Sequence, residues 1–238
     1  MYRPHVLIAD GHALLREAFH KLLEAHYEVV GTVADGRALL EVAPRLKPDI
    51  ILLDIAMPVL NGFDAGARVK KLLPSARLIF LTVIEDHDLI EKALRIGASG
   101  YLLKNSVASE LFHAIGEALL GRTYITPLME QSSNRMSILK SHAEKTRATM
   151  TSRQREVLQL LAEGHSMKQA ALVLGVKPRT VAFHKYRLME EYGLKTNSDL
   201  FQLAIKQKLT FFHREAFDAF ASQRQSSGTF PKLISSAI

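Results

Sequence analysis

Five short apolar runs, "HVLIAD", "YEVVGTV", "DIILLDI", "RLIFLTV" and "GYLLK", punctuate the first half of the chain. Amphipathic stretches such as "HALLREAFHKLLEAH", "GRALLEVAPRLK" and "DHDLIEKALRIG" separate them. Runs of Val, Ile and Leu without polar alternation suit strands buried on both faces, and an intervening period of roughly 3.6 suits covering helices. The pattern predicts an α/β domain with a parallel, doubly wound sheet, closed by a helix over "SELFHAIGEALLG". Open sheets of this kind hold ligands outside the carboxyl ends of their strands. The residues at those ends are Asp10, Asp54, Thr82 and Lys104, from the first, third, fourth and fifth runs.

Two carboxylates, a hydroxyl and an ammonium on one edge meet the needs of a phosphoryl group. One acid accepts it, a divalent cation offsets its charge, and donors hold its oxygens. Taken singly, each residue has an ordinary explanation as a helix cap, loop ligand or solvated charge. The signal is the ordered set across successive strand-helix units.

A chain of 238 residues with 47% apolar content can bury a sizeable core, and its length suits two domains. It contains no Cys, which removes disulfides and thiolate metal sites and fits a reducing compartment. The N-terminal "MYRPHVLIAD" is too short in apolar length for a secretory signal, and no stretch reaches a membrane span, so a cytoplasmic protein is expected. The net charge of +7 is unevenly placed. Residues 1–120 hold 13 Lys and Arg against 15 Asp and Glu, whereas residues 151–210 hold 10 against 5. The second half therefore reads as an anion-binding module, with nucleic acid the leading partner and a merely solvated face the alternative.

"LIADGH", "ILLDIAMPVLNG", "FLTV" and "GYLLKNS" resemble the receiver domain of two-component response regulators, over residues 1–121. The resemblance implies a flavodoxin-like, five-stranded parallel sheet in which Asp54 takes a phosphoryl group from a sensor histidine kinase. It assigns Thr82 and Lys104 to the phosphoryl oxygens and Tyr101 to the aromatic that turns inward when Thr82 moves. Met57, Pro58 and Gly62 match the loop after the acceptor. Asp10, Asp54 and the backbone carbonyl of Ala56 match the ligands of a Mg²⁺ ion. For Tyr101 an aromatic simply packed at a strand edge is the structural alternative.

One position departs from that family. Receivers carry two adjacent acids after the first strand, the second a direct Mg²⁺ ligand, and here that second position is Gly11. Loss of a carboxylate removes charge and an oxygen, although Mg²⁺ retains several waters and one more can fill the place. Metal affinity is expected to fall. Phosphorylation is then weakened, dependent on high Mg²⁺, or lost; Gly11 also suits a tight strand-to-helix turn.

From Gly121 the chain becomes polar and basic, and residues 122–149 read as a linker with room for a helix over "MEQSSNRMSILKSHAEK". Four helices follow in residues 150–208. "TSRQREVLQLLAEG" opens on a capping box of Thr151 and Gln154, "SMKQAALVLG" has Ser166 as cap and Gly175 as stop, "KPRTVAFHKYRLMEEYG" begins at Pro178, and "SDLFQLAIKQKL" has Ser198 as cap. Short helices joined around Gly175 describe a helix-turn-helix. With Val181, Leu188 and His184 turned inward, the third helix presents Arg179, Ala182, Phe183 and Tyr186, flanked by Lys185 and Arg187.

"REVLQLLAEG", "TVAFH" and "GL" resemble the LuxR-type helix-turn-helix, and with the receiver the whole resembles a NarL/FixJ-family response regulator. That resemblance implies a homodimeric transcription factor on double-stranded DNA, dimerising partly through the fourth helix. It makes Ala182, Phe183 and Tyr186 candidates for base contact and Lys168, Arg179, Lys185 and Arg187 candidates for phosphate contact. Met167, Lys177 and Ala182 depart from the usual Asn, Ser and Lys; Lys177 forfeits a cap of about 1 kcal/mol.

Residues 209–238 extend beyond the family module, with Phe211, Phe212, Phe217 and Phe220 at helical spacing before a Ser-bearing tail. They read as an added amphipathic helix covering core, or as a dimer or partner surface. Two other functional classes compete. The Asp, Thr and Lys set also resembles haloacid-dehalogenase-type phosphohydrolases, but those need a second Asp where Ala56 stands, so no enzyme is expected. A receiver acting as a dimerisation or ligand-sensing module without phosphoryl input is the other, kept open by Gly11.

Overall fold

Each apolar run of the first half forms a strand: β1 (His5–Ala9), β2 (Glu28–Val33), β3 (Ile50–Asp54), β4 (Arg77–Thr82) and β5 (Gly100–Leu103). Between them lie α1 (Ala13–Leu23), α2 (Gly36–Leu46), α3 (Gly62–Leu72) and α4 (His87–Ile96), and α5 (Ala108–Leu119) follows β5. The computed structural model describes residues 2–106, 108–127 and 150–210. The chain divides into two compact units, Met1–Glu156 and Val157–Ile238.

All strands are parallel, in the order β2-β1-β3-β4-β5-β6. Among the described residues the sheet thus has six strands rather than the expected five. The additional β6 (Tyr124–Ile125) sets Tyr124 opposite Gly100 and Ile125 opposite Tyr101. It falls in the stretch read as linker, because two residues are too few to show a period of two. Thr126 secures it: its backbone N–H donates to the Tyr101 carbonyl at 3.0 Å, and its hydroxyl accepts from the Leu103 N–H at 3.3 Å. The helix considered over "MEQSSNRMSILKSHAEK" and the Phe-bearing extension from Phe211 lie outside the described residues.

Every residue of β3 is buried, as its unbroken apolar run requires. On one face Val6, Ile8, Ile50, Leu52, Ile79 and Leu81 pack with Leu23 of α1 and with Leu111, Ala114, Ile115 and Ala118 of α5. The opposite face includes Leu53, Leu78 and Phe80, against which Gly66 of α3 lies, and Phe80 meets Phe63 at 5.2 Å between ring centroids. Short polar side chains fix the helix starts on this side. Asp35 accepts from the Arg37 and Ala38 N–H groups, Asn61 from that of Asp64, and Asp86 from that of Asp88.

Two backbone positions control the loop that follows Asp54. A Cβ at Gly62 would stand 2.1 Å from the Asp54 carbonyl oxygen, so the α3 N-terminus can approach the strand end only without a side chain. Val59 has φ +67°, a left-handed conformation that a β-branched residue adopts at a cost.

The second half supplies the expected helices: α6 (Ser152–Ala162), within which the division between units falls, α7 (Met167–Leu174), α8 (Pro178–Glu191) and α9 (Asn197–Lys206). Thr151 and Gln154 exchange their capping bonds, at 2.8 Å and 3.2 Å, and Ser166 and Gln169 form a second capping box. Gly175 (φ +64°) ends α7 in the left-handed conformation, with its N–H on the Leu172 carbonyl and that of Val176 on the Ala171 carbonyl. Pro178 opens α8, and Lys177 before it makes no side-chain cap bond. The cap of α9 is Thr196 rather than Ser198. Thr196 accepts from the Asp199 N–H while the Asp199 carboxylate accepts from the Thr196 N–H, a reciprocal pair that leaves Ser198 inside the first turn. Val157, Leu158, Ala170, Ala171, Leu174, Val181, Leu188, Leu200 and Ala204 are buried between these helices.

Gly62→Ala is expected to destabilise the first unit by about 3 kcal/mol, since backbone must move to admit the methyl group. Val59→Asn, which tolerates the left-handed region better, is expected to stabilise it by about 1 kcal/mol. Denaturant unfolding of the two variants beside the wild type checks both signs.

Candidate functional site

The parallel register carries four polar residues to one edge. Asp10 directly follows β1, Asp54 is the last residue of β3, Thr82 the last of β4, and Lys104 directly follows β5. Asp10 and Asp54 are both buried, as is the Lys104 side chain. The Lys104 ammonium lies 2.7 Å from Asp10 Oδ2 and 2.9 Å from Asp54 Oδ2, so one cation bridges both acids. Lys104 is itself held by its N–H, which donates to the Thr82 carbonyl at 2.6 Å.

Local backbone orients the acids. The Ala56 N–H donates to Asp54 Oδ1 at 3.0 Å, and the His12 N–H donates to Asp10 Oδ1 at 2.8 Å. The Arg16 guanidinium donates to the Asp10 carbonyl oxygen at 2.6 Å. The Thr82 hydroxyl accepts from the Ile84 N–H at 3.1 Å. Desolvation is the main cause that pushes the Asp54 carboxyl above the usual carboxylate range; the Lys104 charge pulls it down and the Asp10 charge pushes it further up. Tyr101 is fully buried. Burial, then the Asp86 carboxylate, raise its phenol, and a weaker interaction with Thr82 opposes them.

Sequence reasoning did not single out His12 as part of this site. Its Nδ1 lies 3.1 Å from Asp10 Oδ1 and 4.0 Å from Asp54 Oδ2, and the three residues form a group able to hold a metal ion. Its position two residues after Asp10 was the available signal, but the turn geometry that returns the ring to the acids is tertiary. The donors available to a cation are therefore the two carboxylates, the imidazole and the Ala56 carbonyl, which lies beside Gly11. A hard divalent ion fits the oxygens, with one carboxylate fewer than two adjacent acids would give.

In the second half, α8 buries Val181 and Leu188 and leaves His184 and Ala182 partly covered. Phe183 and Tyr186 are 57% and 60% exposed, far more than such rings usually are. Arg179 and Lys168 are exposed, and the Lys185 ammonium lies 5.7 Å from the Tyr186 ring centroid. Arg187 Nε donates to Glu191 Oε1 at 2.8 Å, so its charge is shared within the helix. All seven residues expected to touch DNA lie on α7 or α8, and six of them on α8. Among the described residues no helix is long and apolar enough to cross a membrane.

Comparison with known proteins accounts for both halves. The profile of the response regulator receiver domain matches residues 6–116, and that of bacterial regulatory proteins of the luxR family matches residues 148–204. The oxygen regulatory protein NreC of Staphylococcus aureus is 33% identical over 215 residues, 87% of this chain and 99% of its own length. A LuxR-family two-component response regulator from Aurantimonas is 28% identical in its crystal structure, with a TM-score of 0.55 over 58% of this chain and 99% of that one. The RcsB response regulator of Salmonella typhimurium, at 24% identity, shares the fold with a TM-score of 0.58 over 89% of this chain and all of its own. The chain belongs to the NarL/FixJ family of response regulators, DNA-binding transcription regulators of two-component systems in which a receiver domain is joined to a LuxR-type helix-turn-helix.

Proposed function

We propose that Asp54 is the phosphoryl acceptor of this regulator and that residues 1–121 report its state to a DNA-binding domain of residues 150–208. The observation that carries the reading is the convergence of Asp10, Asp54, Thr82 and Lys104 at one sheet edge, with the Lys104 ammonium on both acids. An Asp54 oxygen attacks the phosphorus of a phosphohistidine on the sensor kinase. The new O–P bond forms as the P–N bond breaks, and the histidine leaves with the electron pair of that bond. Lys104 then shifts its charge to a phosphoryl oxygen and the Thr82 hydroxyl donates to another. A divalent ion held by Asp10, Asp54 and the Ala56 carbonyl would offset the charge of the transferring group, with Mg²⁺ affinity reduced by Gly11.

The output is binding to double-stranded DNA by a homodimer in the cytoplasm. Phe183, Tyr186 and Ala182 are proposed to contact base edges, thymine methyls included, and Lys168, Arg179, Lys185 and Arg187 to contact phosphates. The exposure of two aromatic rings on a helix with basic neighbours supports this.

A second reading is favoured by specific observations: Lys104 already bridges both acids, Tyr101 is already buried, and Gly11 stands where a further metal ligand would. In that reading the receiver works without phosphoryl input, as a dimerisation or ligand-sensing module.

Intact mass after incubation with acetyl phosphate separates the two. The first reading expects a Mg²⁺-dependent phosphoryl adduct on the wild type, none on Asp54→Ala, and an adduct on Gly11→Asp at lower Mg²⁺; an adduct on Gly11→Asp alone supports the second. Lys185→Ala is expected to weaken DNA binding across sequences and reduce the slope of log K against log salt by about 1. An unchanged slope removes Lys185 from the phosphate contacts.

The raised Asp54 carboxyl also sets a pH dependence. The native state holds this proton more tightly than the unfolded chain does. Its contribution to stability is thus complete below the unfolded value of about 3.9 and is lost as pH rises through the higher folded value. Asp54→Asn escapes that loss, so its stability relative to wild type is expected to grow as pH rises above about 3.9, as read by thermal unfolding.

A further inference from the structure

The acid pocket holds more negative charge than its own residues balance. Asp10 and Asp54 are 0% and 1% exposed, and Lys104 supplies one positive charge for the two carboxylates. The Arg16 guanidinium bonds the Asp10 carbonyl oxygen instead of either carboxylate. Buried charge without compensation is costly, so the pocket is suited to a further cation.

His12 faces that pocket with the geometry of a ligand. In an octahedral site with bonds of about 2.1 Å, neighbouring ligand atoms stand about 3.0 Å apart and opposite ones about 4.2 Å. His12 Nδ1 is 3.1 Å from Asp10 Oδ1, a neighbouring separation, and 4.0 Å from Asp54 Oδ2, near an opposite one. The three ligand atoms all lie within 4.8 Å of one another. The His12 side chain is 44% exposed, which gives an ion an entry.

Gly11 decides which ion gains. A Cβ there would stand 3.1 Å from Pro58 Cδ and 3.6 Å from the Ala56 carbonyl oxygen, so a carboxylate at this position would add a hard oxygen near that carbonyl. Its absence leaves two carboxylates and one nitrogen as the side-chain donors. Mg²⁺ selects oxygen donors, whereas imidazole suits the first-row transition ions, whose affinity rises from Mn²⁺ towards Zn²⁺ and Cu²⁺.

We propose that His12 is the third ligand of a cation site with Asp10 and Asp54, and that this site takes a divalent transition ion of the Mn²⁺ to Zn²⁺ class in preference to Mg²⁺. The inference rests on reading this pocket as the cation site of the receiver. It does not require Asp54 to be phosphorylated. Asp54 Oδ2 can serve the ion and Lys104 together, since a carboxylate oxygen has two lone pairs.

The test uses full-length, unphosphorylated protein with Mn²⁺ alone and Mg²⁺ alone as probes. Titration calorimetry gives the two affinities, and pulsed electron paramagnetic resonance reports whether a nitrogen is bonded to Mn²⁺. The wild type is expected to bind Mn²⁺ at least about 30-fold more tightly than Mg²⁺ and to show imidazole nitrogen coupling. His12→Ala is expected to abolish that coupling and weaken Mn²⁺ by about tenfold or more, with little change for Mg²⁺. Gly11→Asp is expected to tighten Mg²⁺ and narrow the preference. Absence of nitrogen coupling in the wild type, an unchanged Mn²⁺ affinity in His12→Ala, or an unchanged preference in Gly11→Asp would overturn the proposal. Because no phosphodonor is present, failure of Asp54 to accept a phosphoryl group leaves these outcomes unaffected, and a phosphoryl adduct does not rescue them.

Discussion

Two buried carboxylates side by side repel each other and have lost the water that would screen them, yet the ends of β1 and β3 place Asp10 and Asp54 together. The Lys104 ammonium, at 2.7 Å and 2.9 Å from their Oδ2 atoms, makes the arrangement tolerable. Because Asp10, Asp54 and Lys104 adjoin three different strands, this ion triad also ties β1, β3 and β5 at one edge. Much of the surrounding structure serves it. Gly62 lets α3 close on the Asp54 carbonyl, the Ala56 N–H orients Asp54 Oδ1, and the Lys104 N–H reaches the Thr82 carbonyl.

The same triad defines what can change. A phosphoryl group on Asp54 would compete for Lys104, and a divalent ion would share the acids with it, so charge balance at this edge couples the two events. Replacing one acid by Gly11 shifts that balance towards the protein's own cations. His12 then stands where an ion short of oxygen ligands would find a nitrogen. On the output side a different principle operates. Phe183 and Tyr186 stay exposed on α8 because Val181 and Leu188 use up the inward stripe of that helix, leaving two aromatic faces among basic residues.

Particular elements mark where sequence reasoning succeeded and where it stopped. The strands β1 to β5 were readable because residues buried on both faces must be apolar without interruption, and α6 to α8 because Thr151, Ser166, Gly175 and Pro178 announce their ends. The two residues of β6 carry no such period; their strand character comes from Thr126 bonding to the β5 backbone. Ser198 reads as the cap from the sequence, and only the reciprocal bonds of Thr196 with Asp199 move the helix start two residues earlier. His12 was passed over because a residue three places beyond a strand end can turn its ring to solvent or to the acids, and its own dihedrals choose.

The sequence by itself determined the order of strands and helices, the placing of four polar residues at strand ends, the missing acid at Gly11 and the concentration of basic residues in the second half. Those follow from local periodicity and residue type, which need no knowledge of distant contacts. The tertiary structure alone decided that one ammonium bridges both acids, that Tyr101 lies buried, that His12 joins the acid pocket and that a sixth strand extends the sheet. The bridge and the sixth strand depend on residues far apart in the chain meeting at distances near 3 Å, such as the 2.7 Å between Lys104 and Asp10, the burial of Tyr101 depends on the packing around it, and the place of His12 depends on a turn that carries its ring towards Asp54 of β3; short-range pattern encodes none of these.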